Sequence, residues 1–252
     1  MTGPIERHGA VPFVREVPYR LHLPGGAPAP LLVALHGKGD RAGRFEEEAR
    51  DALPKGWGLL VPSAPIPRDA RPVAGKETIG GSWYLYDGDT EAFRASLARA
   101  EEFLVEVVGR ALATGAVDPG RVAVLGFSQG GYLAGVAAVR RRPLFRAAVI
   151  AGGRLKVEAL GPWLPAARGL PVLGLHGARD TSVRPGPARE SIDAARAAGL
   201  EAGFREFDAG HEFSPDMRRE AREWLRAVVV APESNGGAPP GRGAPPVDRG
   251  SR

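Results

Sequence analysis

The most constraining stretch of the sequence is Gly126-Phe127-Ser128-Gln129-Gly130. An apolar run at 122–125 precedes it and a run of small and apolar residues at 131–138 follows it, which predicts a buried strand and then a helix. Glycines two positions before and after Ser128 let neighbouring backbone pass without a Cβ clash. The pattern predicts a sharp strand-to-helix turn, the nucleophile elbow, which projects the serine hydroxyl clear of the backbone. An ordinary glycine-rich turn is the alternative.

Strand-like and helix-like segments alternate along the rest of the chain. Short apolar or alternating runs predict strands at 31–35, 59–61, 147–150, 171–175 and 203–207. Helical patterns cover 45–53, 187–198, 215–229 and a segment that begins at Asp89 or Thr90 and continues to Ala111. This alternation predicts an α/β fold with a mostly parallel central sheet and helices on both faces. Binding sites in such sheets form at the carboxyl ends of the strands.

The chain is expected to form one main domain with two distinct ends. Residues 1–30 are predicted to contribute edge strands, because Pro12 and Pro18 are tolerated only there. The catalytic domain is expected at 31–230, and the proline- and glycine-rich tail at 231–252 is expected to be disordered. Within the domain, residues 63–89 are expected to be a long irregular loop, and the acidic run at 46–48 is expected to be solvated.

Composition narrows the possible partners and location. The formal net charge is +5, but the basic residues are scattered, so no nucleic-acid footprint is predicted. The chain has no cysteine, which excludes a disulfide framework and a thiolate metal site. No apolar run approaches the roughly 18 residues of a membrane span, and the first twenty residues lack a continuous apolar core of a secretory signal. A cytoplasmic location is therefore expected.

Three loops at predicted strand ends carry residues that suit nucleophilic catalysis. A serine hydroxyl needs a histidine to take its proton and a carboxylate to orient that histidine. We predict Ser128 as the nucleophile, His211 as the base and Asp180 as the acid, in the chain order serine, aspartate, histidine. Asp208, three residues from His211, and Asp193 are the competing acids.

Further polar groups are predicted around this candidate site. His36 and His176 both occur in Leu-His-Gly at strand ends, where hydrogen bonds to neighbouring loops are the expected role. The backbone N–H groups of Gln129 and Lys38 are predicted to form the oxyanion hole. Asp40 is expected to cap the loop before the following helix.

These residues together resemble a known family. The matching positions are His36-Gly37 with Asp40, Ala64-Pro65-Ile66, Trp83-Tyr84, the stretch 126–131, His176-Gly177 with Asp180, and Gly210-His211. Over roughly residues 30–228 the sequence is similar to the phospholipase/carboxylesterase family, small α/β-hydrolases that include acyl-protein thioesterases. The resemblance implies an α/β-hydrolase fold without a large cap domain and hydrolysis of carboxylic or thio esters through an acyl-enzyme. It also implies no metal and no cofactor.

The sequence predicts the substrate class and the oligomeric state only in outline. The partner is expected to be a small-molecule ester, and the protein a monomer or homodimer. Trp83, Tyr84 and Arg71 are predicted to line the substrate pocket. Lys38 stands where the family usually has leucine, and Arg68, Arg71, Lys76 and Glu77 make the nearby loop charged, which favours short or anionic acyl groups. The alternatives are a peptidase or amidase with the same triad, and a catalytically silent binding protein on a hydrolase scaffold.

The tail composition generates a first prediction. Deletion of residues 231–252 should leave the melting temperature nearly unchanged, because a segment with so little apolar content adds few packed contacts. Differential scanning calorimetry of the full-length and truncated proteins measures this. A clear loss of thermal stability on truncation would mean that the tail docks on the domain.

Overall fold

A computed structural model of the chain describes residues 15–69, 79–86 and 90–229. The predictions for Arg71, Lys76 and Glu77, for residues 1–14 and for the tail 231–252 fall outside these ranges.

A seven-stranded sheet forms the centre of the domain. Its strands are β1 (Tyr19–His22), β2 (Ala29–Leu35), β3 (Gly58–Pro62), β6 (Val117–Phe127), β7 (Ala147–Ala151), β8 (Pro171–Gly177) and β9 (Glu201–Phe207). The strand order is β1-β3-β2-β6-β7-β8-β9, and every pairing is parallel except that of β1 with β3. This confirms the predicted mostly parallel sheet. Strand β1 lies at one edge of it.

Helices cover both faces of the sheet. They are α1 (Ala42–Asp51), α2 (Thr90–Leu112), α3 (Gln129–Arg140), α4 (Pro185–Ala197) and α5 (Pro215–Val228). Strand β2 shows how two cores arise, because Leu31, Val33 and Leu35 face one core and Leu32 and Ala34 face the other. Helices α1 and α5 pack on the second core, and α2, α3 and α4 pack on the first.

The described ranges hold no helix that is long and apolar enough to cross a membrane. In the same ranges, every α-helix and strand belongs to these layers or to the small strand pair described next. Two short 3-10 helices, Val157–Ala159 and Pro165–Ala167, lie between β7 and β8, and no separate cap domain is present in these ranges.

The segment predicted as an irregular loop at 63–89 contains a second small sheet. Strand β4 (Ile66–Asp69) pairs antiparallel with β5 (Ile79–Ser82). Gly81 also exchanges backbone hydrogen bonds with the loop after β2, donating to Asp40 O at 2.9 Å and accepting from Gly39 N at 2.8 Å. A Cβ on Gly80 would lie 2.1 Å from Gly39 O, so this approach needs glycine. The prolines and glycines that permit it also removed the usual sequence signal of a strand.

The acidic run on α1 is not simply solvated, which corrects the prediction. Glu46 is 7% exposed and lies beside the buried Phe45 and Ala49. Its carboxylate contacts His22 Nε2 at 2.8 Å and Arg50 Nη2 at 2.5 Å, and Arg20 lies at 3.3 Å. Arg20 and His22 belong to the edge strand β1, so their contacts with Glu46 join segments distant in the chain and no local sequence pattern indicates them.

A second buried carboxylate joins α2 to the end of α3. The Glu101 side chain is 1% exposed and lies 2.5 Å from Arg141 Nε and 3.0 Å from Arg140 Nη1. The Arg141 contact is a hydrogen bond, whereas Oε2 beside Arg140 lacks hydrogen-bond geometry. Both arginines keep some exposure to solvent. The glutamate is therefore the buried partner that both cations depend on.

This cluster generates the second prediction. Glu101→Gln should lower the free energy of unfolding by about 2–3 kcal/mol, because it leaves two half-buried arginines without their charge partner. Glu106→Gln on the same helix is the matched control, since its pair with Arg110 is well exposed and should be worth about 0.5 kcal/mol or less. Urea denaturation measures both variants. Equal losses in the two variants would contradict a special role for Glu101.

Candidate active site

The turn between β6 and α3 has the geometry that the sequence predicts. Ser128 adopts φ 51° and ψ −119°, and it is the only non-glycine residue with positive φ in the described ranges. A Cβ on Gly126 would lie 2.1 Å from Gly130 O, and one on Gly130 would lie 2.2 Å from Leu35 O. The strained turn therefore depends on glycine at both positions and holds the serine at the start of α3.

Three side chains from separate loops form a hydrogen-bonded relay. His211 Nε2 lies 3.0 Å from Ser128 Oγ, and His211 Nδ1 lies 2.7 Å from Asp180 Oδ2. Asp180 follows the end of β8 and His211 follows the end of β9, so parallel pairing of these strands brings the two loops together. Ser128 and His211 remain partly exposed, whereas the Asp180 side chain is completely buried.

The Asp180 carboxylate has hydrogen-bond donors on both oxygens. Oδ1 accepts from the backbone N–H groups of Ser182 and Val183, each at 2.9 Å. Oδ2 accepts from His211 and lies 3.3 Å from His176 Nε2. These donors compensate the burial of the carboxylate, whose Oδ2 accepts from His211 Nδ1–H.

The two competing acids do not contact His211. Asp208 has a side chain that is 85% exposed and forms an ion pair with Arg179. Asp193 lies on α4 and pairs with Arg196 at 2.8 Å. Only Asp180 of the three candidates therefore stands in hydrogen-bond contact with the imidazole.

The other two strand-end histidines fix loops, as predicted. His36 Nε2 accepts from Ala64 N–H at 3.1 Å, which leaves Nδ1–H to donate to Gly37 O at 2.7 Å. Burial lowers the pKa of His36, which favours this neutral tautomer. His176 Nε2–H donates to Val183 O at 2.7 Å in addition to its approach to Asp180. The approach of His176 to the carboxylate had no sequence signal beyond the spacing of four residues.

Two backbone N–H groups beside Ser128 lack an acceptor within the described part of the chain, those of Lys38 and Gln129. Gly37 brings the Lys38 loop to the elbow, since a Cβ on Gly37 would lie 3.6 Å from Ser128 Cβ. Gln129 N–H is at the start of α3, where the helix dipole favours negative charge. The pair suits a site for an oxyanion. Asp40 accepts from Arg41 N–H at 2.8 Å and pairs with Arg44, so it orders the start of α1.

The amide side chain of Gln129 has a role that sequence reasoning missed. Its Oε1 accepts from Trp83 N–H at 3.0 Å and its Nε2 donates to Tyr84 O at 2.9 Å. Trp83 in turn donates its indole N–H to His36 O at 2.8 Å. Gln129 therefore ties the aromatic segment after β5 to the elbow.

The predicted pocket residues occupy different environments. The Trp83 side chain has no exposed surface, so it supports the wall of the site and is not a lining residue, which corrects the prediction. Tyr84 is 7% exposed, and burial raises the pKa of its hydroxyl. The side chains of Lys38 and Arg68 are exposed to solvent. Arg71 lies outside the described residues.

Comparisons with known proteins agree with this architecture. The profile of the phospholipase/carboxylesterase family matches residues 20–229. The protein NocK of Nocardia uniformis subsp. tsuyamanensis, whose name gives esterase as a provisional activity, is 29% identical over 187 residues. The match covers 64% of this chain and 44% of that protein, so the chain spans less than half the length of this curated relative.

Two crystal structures are similar in fold. Esterase PE8 has a TM-score of 0.70 at 24% identity, with 84% of this chain and 99% of that chain covered. Acyl-protein thioesterase 2 of Zea mays has a TM-score of 0.64 at 22% identity, with 84% and 99% covered. At these identities the likeness establishes the fold. Because the family profile spans nearly all of the described residues, the chain belongs to the phospholipase/carboxylesterase family and has its α/β-hydrolase fold.

Proposed function

We propose that this hydrolase is a serine esterase in which residues 31–230 form the catalytic domain and Ser128, His211 and Asp180 form the triad. The observation that carries the proposal is the unbroken relay of 3.0 Å and 2.7 Å hydrogen bonds through His211, set on a strained elbow. Membership of an esterase family supports the reaction class.

The first half of the reaction forms an acyl-enzyme. His211 Nε2 takes the Ser128 proton as Oγ attacks the ester carbonyl carbon, and the carbonyl oxygen becomes an oxyanion. The free N–H groups of Lys38 and Gln129 donate to that oxyanion. His211 then gives its proton to the leaving alcohol as the carbon–oxygen bond breaks.

The second half repeats these steps with water. His211 removes a proton from a water molecule, whose oxygen attacks the acyl carbon, and Ser128 Oγ leaves and recovers its proton. Asp180 holds Nδ1–H throughout, so Nε2 is the nitrogen that faces the serine. The carboxylate stabilises the imidazolium in both halves, and its hydrogen bonds with Ser182 N–H, Val183 N–H and His211 keep it oriented.

Alcohol and thiol leaving groups are weaker bases than amines, so they make the smallest demand on protonation by His211. We therefore place esters and thioesters ahead of amides. A peptidase or amidase would need the same relay, and a silent binding protein would not need the strained serine. A fluorophosphonate probe separates the silent protein from the hydrolases, and parallel assays with p-nitrophenyl acetate, an acyl-thioester and an anilide rank the leaving groups.

Ser128→Ala should lower ester turnover by on the order of 10⁴–10⁶-fold and abolish fluorophosphonate labelling, because no other side chain can form the acyl-enzyme. Ser63→Ala, at the end of β3, is the control and should retain both. Rates with p-nitrophenyl acetate and circular dichroism melts report activity and folding. Retention of appreciable turnover by folded Ser128→Ala would contradict the assignment.

Asp180→Asn should lower kcat by about 10³–10⁴-fold, because an amide at this position favours the imidazole tautomer that cannot take the serine proton. Asp208→Asn should change kcat by about twofold or less, since its exposed carboxylate is paired with Arg179 and not with His211. Steady-state kinetics of the two variants provide the test. The reverse ranking would identify Asp208 as the orienting acid.

A further inference from the structure

The segment after β7 runs directly beside the proposed catalytic residues. A Cβ on Gly152 would lie 3.6 Å from His211 Cε1, and one on Gly153 would lie 3.2 Å from Ser128 O. The following residues therefore leave the sheet at the rim of the site. Two of them are cations, Arg154 and Lys156.

Lys156 places its ammonium group over two aromatic rings. Nζ lies 5.5 Å from the ring centroid of Tyr132 and 5.2 Å from that of Phe93. Tyr132 is one helical turn after Ser128 and donates its backbone N–H to Ser128 O at 3.1 Å. Lys156 therefore lies over the ring of a residue whose backbone is hydrogen-bonded to the elbow. Arg154 is different, because Glu158 neutralises it at 2.6 Å.

Lys156 also lines a groove between α2, α3 and residues 156–163. The groove has a volume of about 540 Å³. Its charged lining consists of three cations, Arg94, Arg140 and Lys156, and one carboxylate, that of Glu158. Arg140 stacks over Trp163 with its guanidinium carbon 4.5 Å from the ring centroid and shares Glu101 with Arg141. Glu158 is occupied by Arg154, so the groove carries an excess of positive charge.

No carboxylate lies within ion-pair distance of Lys156 Nζ in the described ranges. Burial is the main cause that lowers the pKa of Lys156; Arg154 lowers it further and the more distant Glu158 raises it. The ammonium is therefore partly dehydrated without a carboxylate at contact distance in the described ranges, and an incoming carboxylate would supply that contact.

We propose that this groove is a subsite for esters that carry a carboxylate, with Lys156 Nζ as its charged partner and Phe93 on its apolar wall. The proposal rests on the proposed esterase function and names the substrate class of that same site. It replaces Lys38 and Arg68, whose side chains are exposed, as the source of any preference for anionic groups.

The test compares anionic and neutral esters of equal length in wild type and Lys156→Met, which removes the charge and keeps an apolar stem. The substrates are the p-nitrophenyl half-esters of succinate, glutarate and adipate, each with its methyl-capped neutral analogue. A second arm uses 4-acetoxybenzoate and its methyl ester, which place the carboxylate on the alcohol side. For the substrates whose carboxylate reaches the groove, on the acyl or the alcohol side, kcat/KM of the anionic ester should fall about 10- to 100-fold in Lys156→Met, mainly because KM rises. The neutral ester should change little.

Lys55→Met is the matched control, because Lys55 is an exposed lysine in the turn before β3, at the opposite end of the strands from the site. It should leave both substrate classes unchanged. Binding of glutarate monomethyl ester to Ser128→Ala, with and without Lys156→Met, gives a readout that does not need turnover. Here the lysine change should weaken Kd by a similar factor.

The outcomes separate the two proposals. If the wild type hydrolyses none of the esters, the esterase function is contradicted. The binding experiment then still tests the subsite. Equal effects of Lys156→Met on anionic and neutral esters in both arms would overturn the subsite and leave the esterase function intact. An unchanged Kd for glutarate monomethyl ester would also overturn it where the acyl-side half-esters are the preferred substrates. Equal preference of the wild type for charged and capped esters would overturn it as well.

Discussion

The turn between β6 and α3 is the constraint on which the site depends. Ser128 has a backbone conformation that non-glycine residues rarely adopt, and nothing in the serine itself favours it. The surrounding packing imposes it. Gly126 and Gly130 let the first turn of α3 approach β6 and the end of β2 within distances that exclude any Cβ. The amide of Gln129 then fixes the segment after β5 against the same turn.

Buried polar groups around this turn form hydrogen bonds that join neighbouring loops to one another. His36 ties the loop after β2 to Ala64, and Trp83 ties the segment after β5 to His36. Asp180 accepts hydrogen bonds from its own loop and from His211, and His176 Nε2 lies close to the same carboxylate. A buried carboxylate without such donors would be costly, so the network that stabilises the charge also positions His211. Stability and the proposed chemistry therefore share the same hydrogen bonds.

The cations near the proposed site differ in how far they are buried. Cations expected from the sequence, Lys38 and Arg68, have exposed side chains, where long basic side chains are usually found. The cation that the fold partly buries is Lys156, which follows β7 by a few residues and lies over Tyr132 of α3. Its position depends on a backbone path beside Gly152 and Gly153. Tertiary packing likewise buries Glu46, although the sequence pattern of α1 alone predicts that this residue is exposed to solvent.

The sequence by itself determined the parallel α/β architecture, the elbow and the identity of the three relay residues. Each has a local signature: apolar runs of strand length, glycines at fixed spacing around Ser128, and polar residues at strand ends. Only the tertiary structure decided which polar groups meet. The contact of His176 with Asp180, the pairing of β4 with β5, the full burial of Trp83 and the groove beside Lys156 all join segments that are distant in the chain or lack a propensity signal. Such contacts depend on strand order and loop path, which periodicity and spacing do not encode.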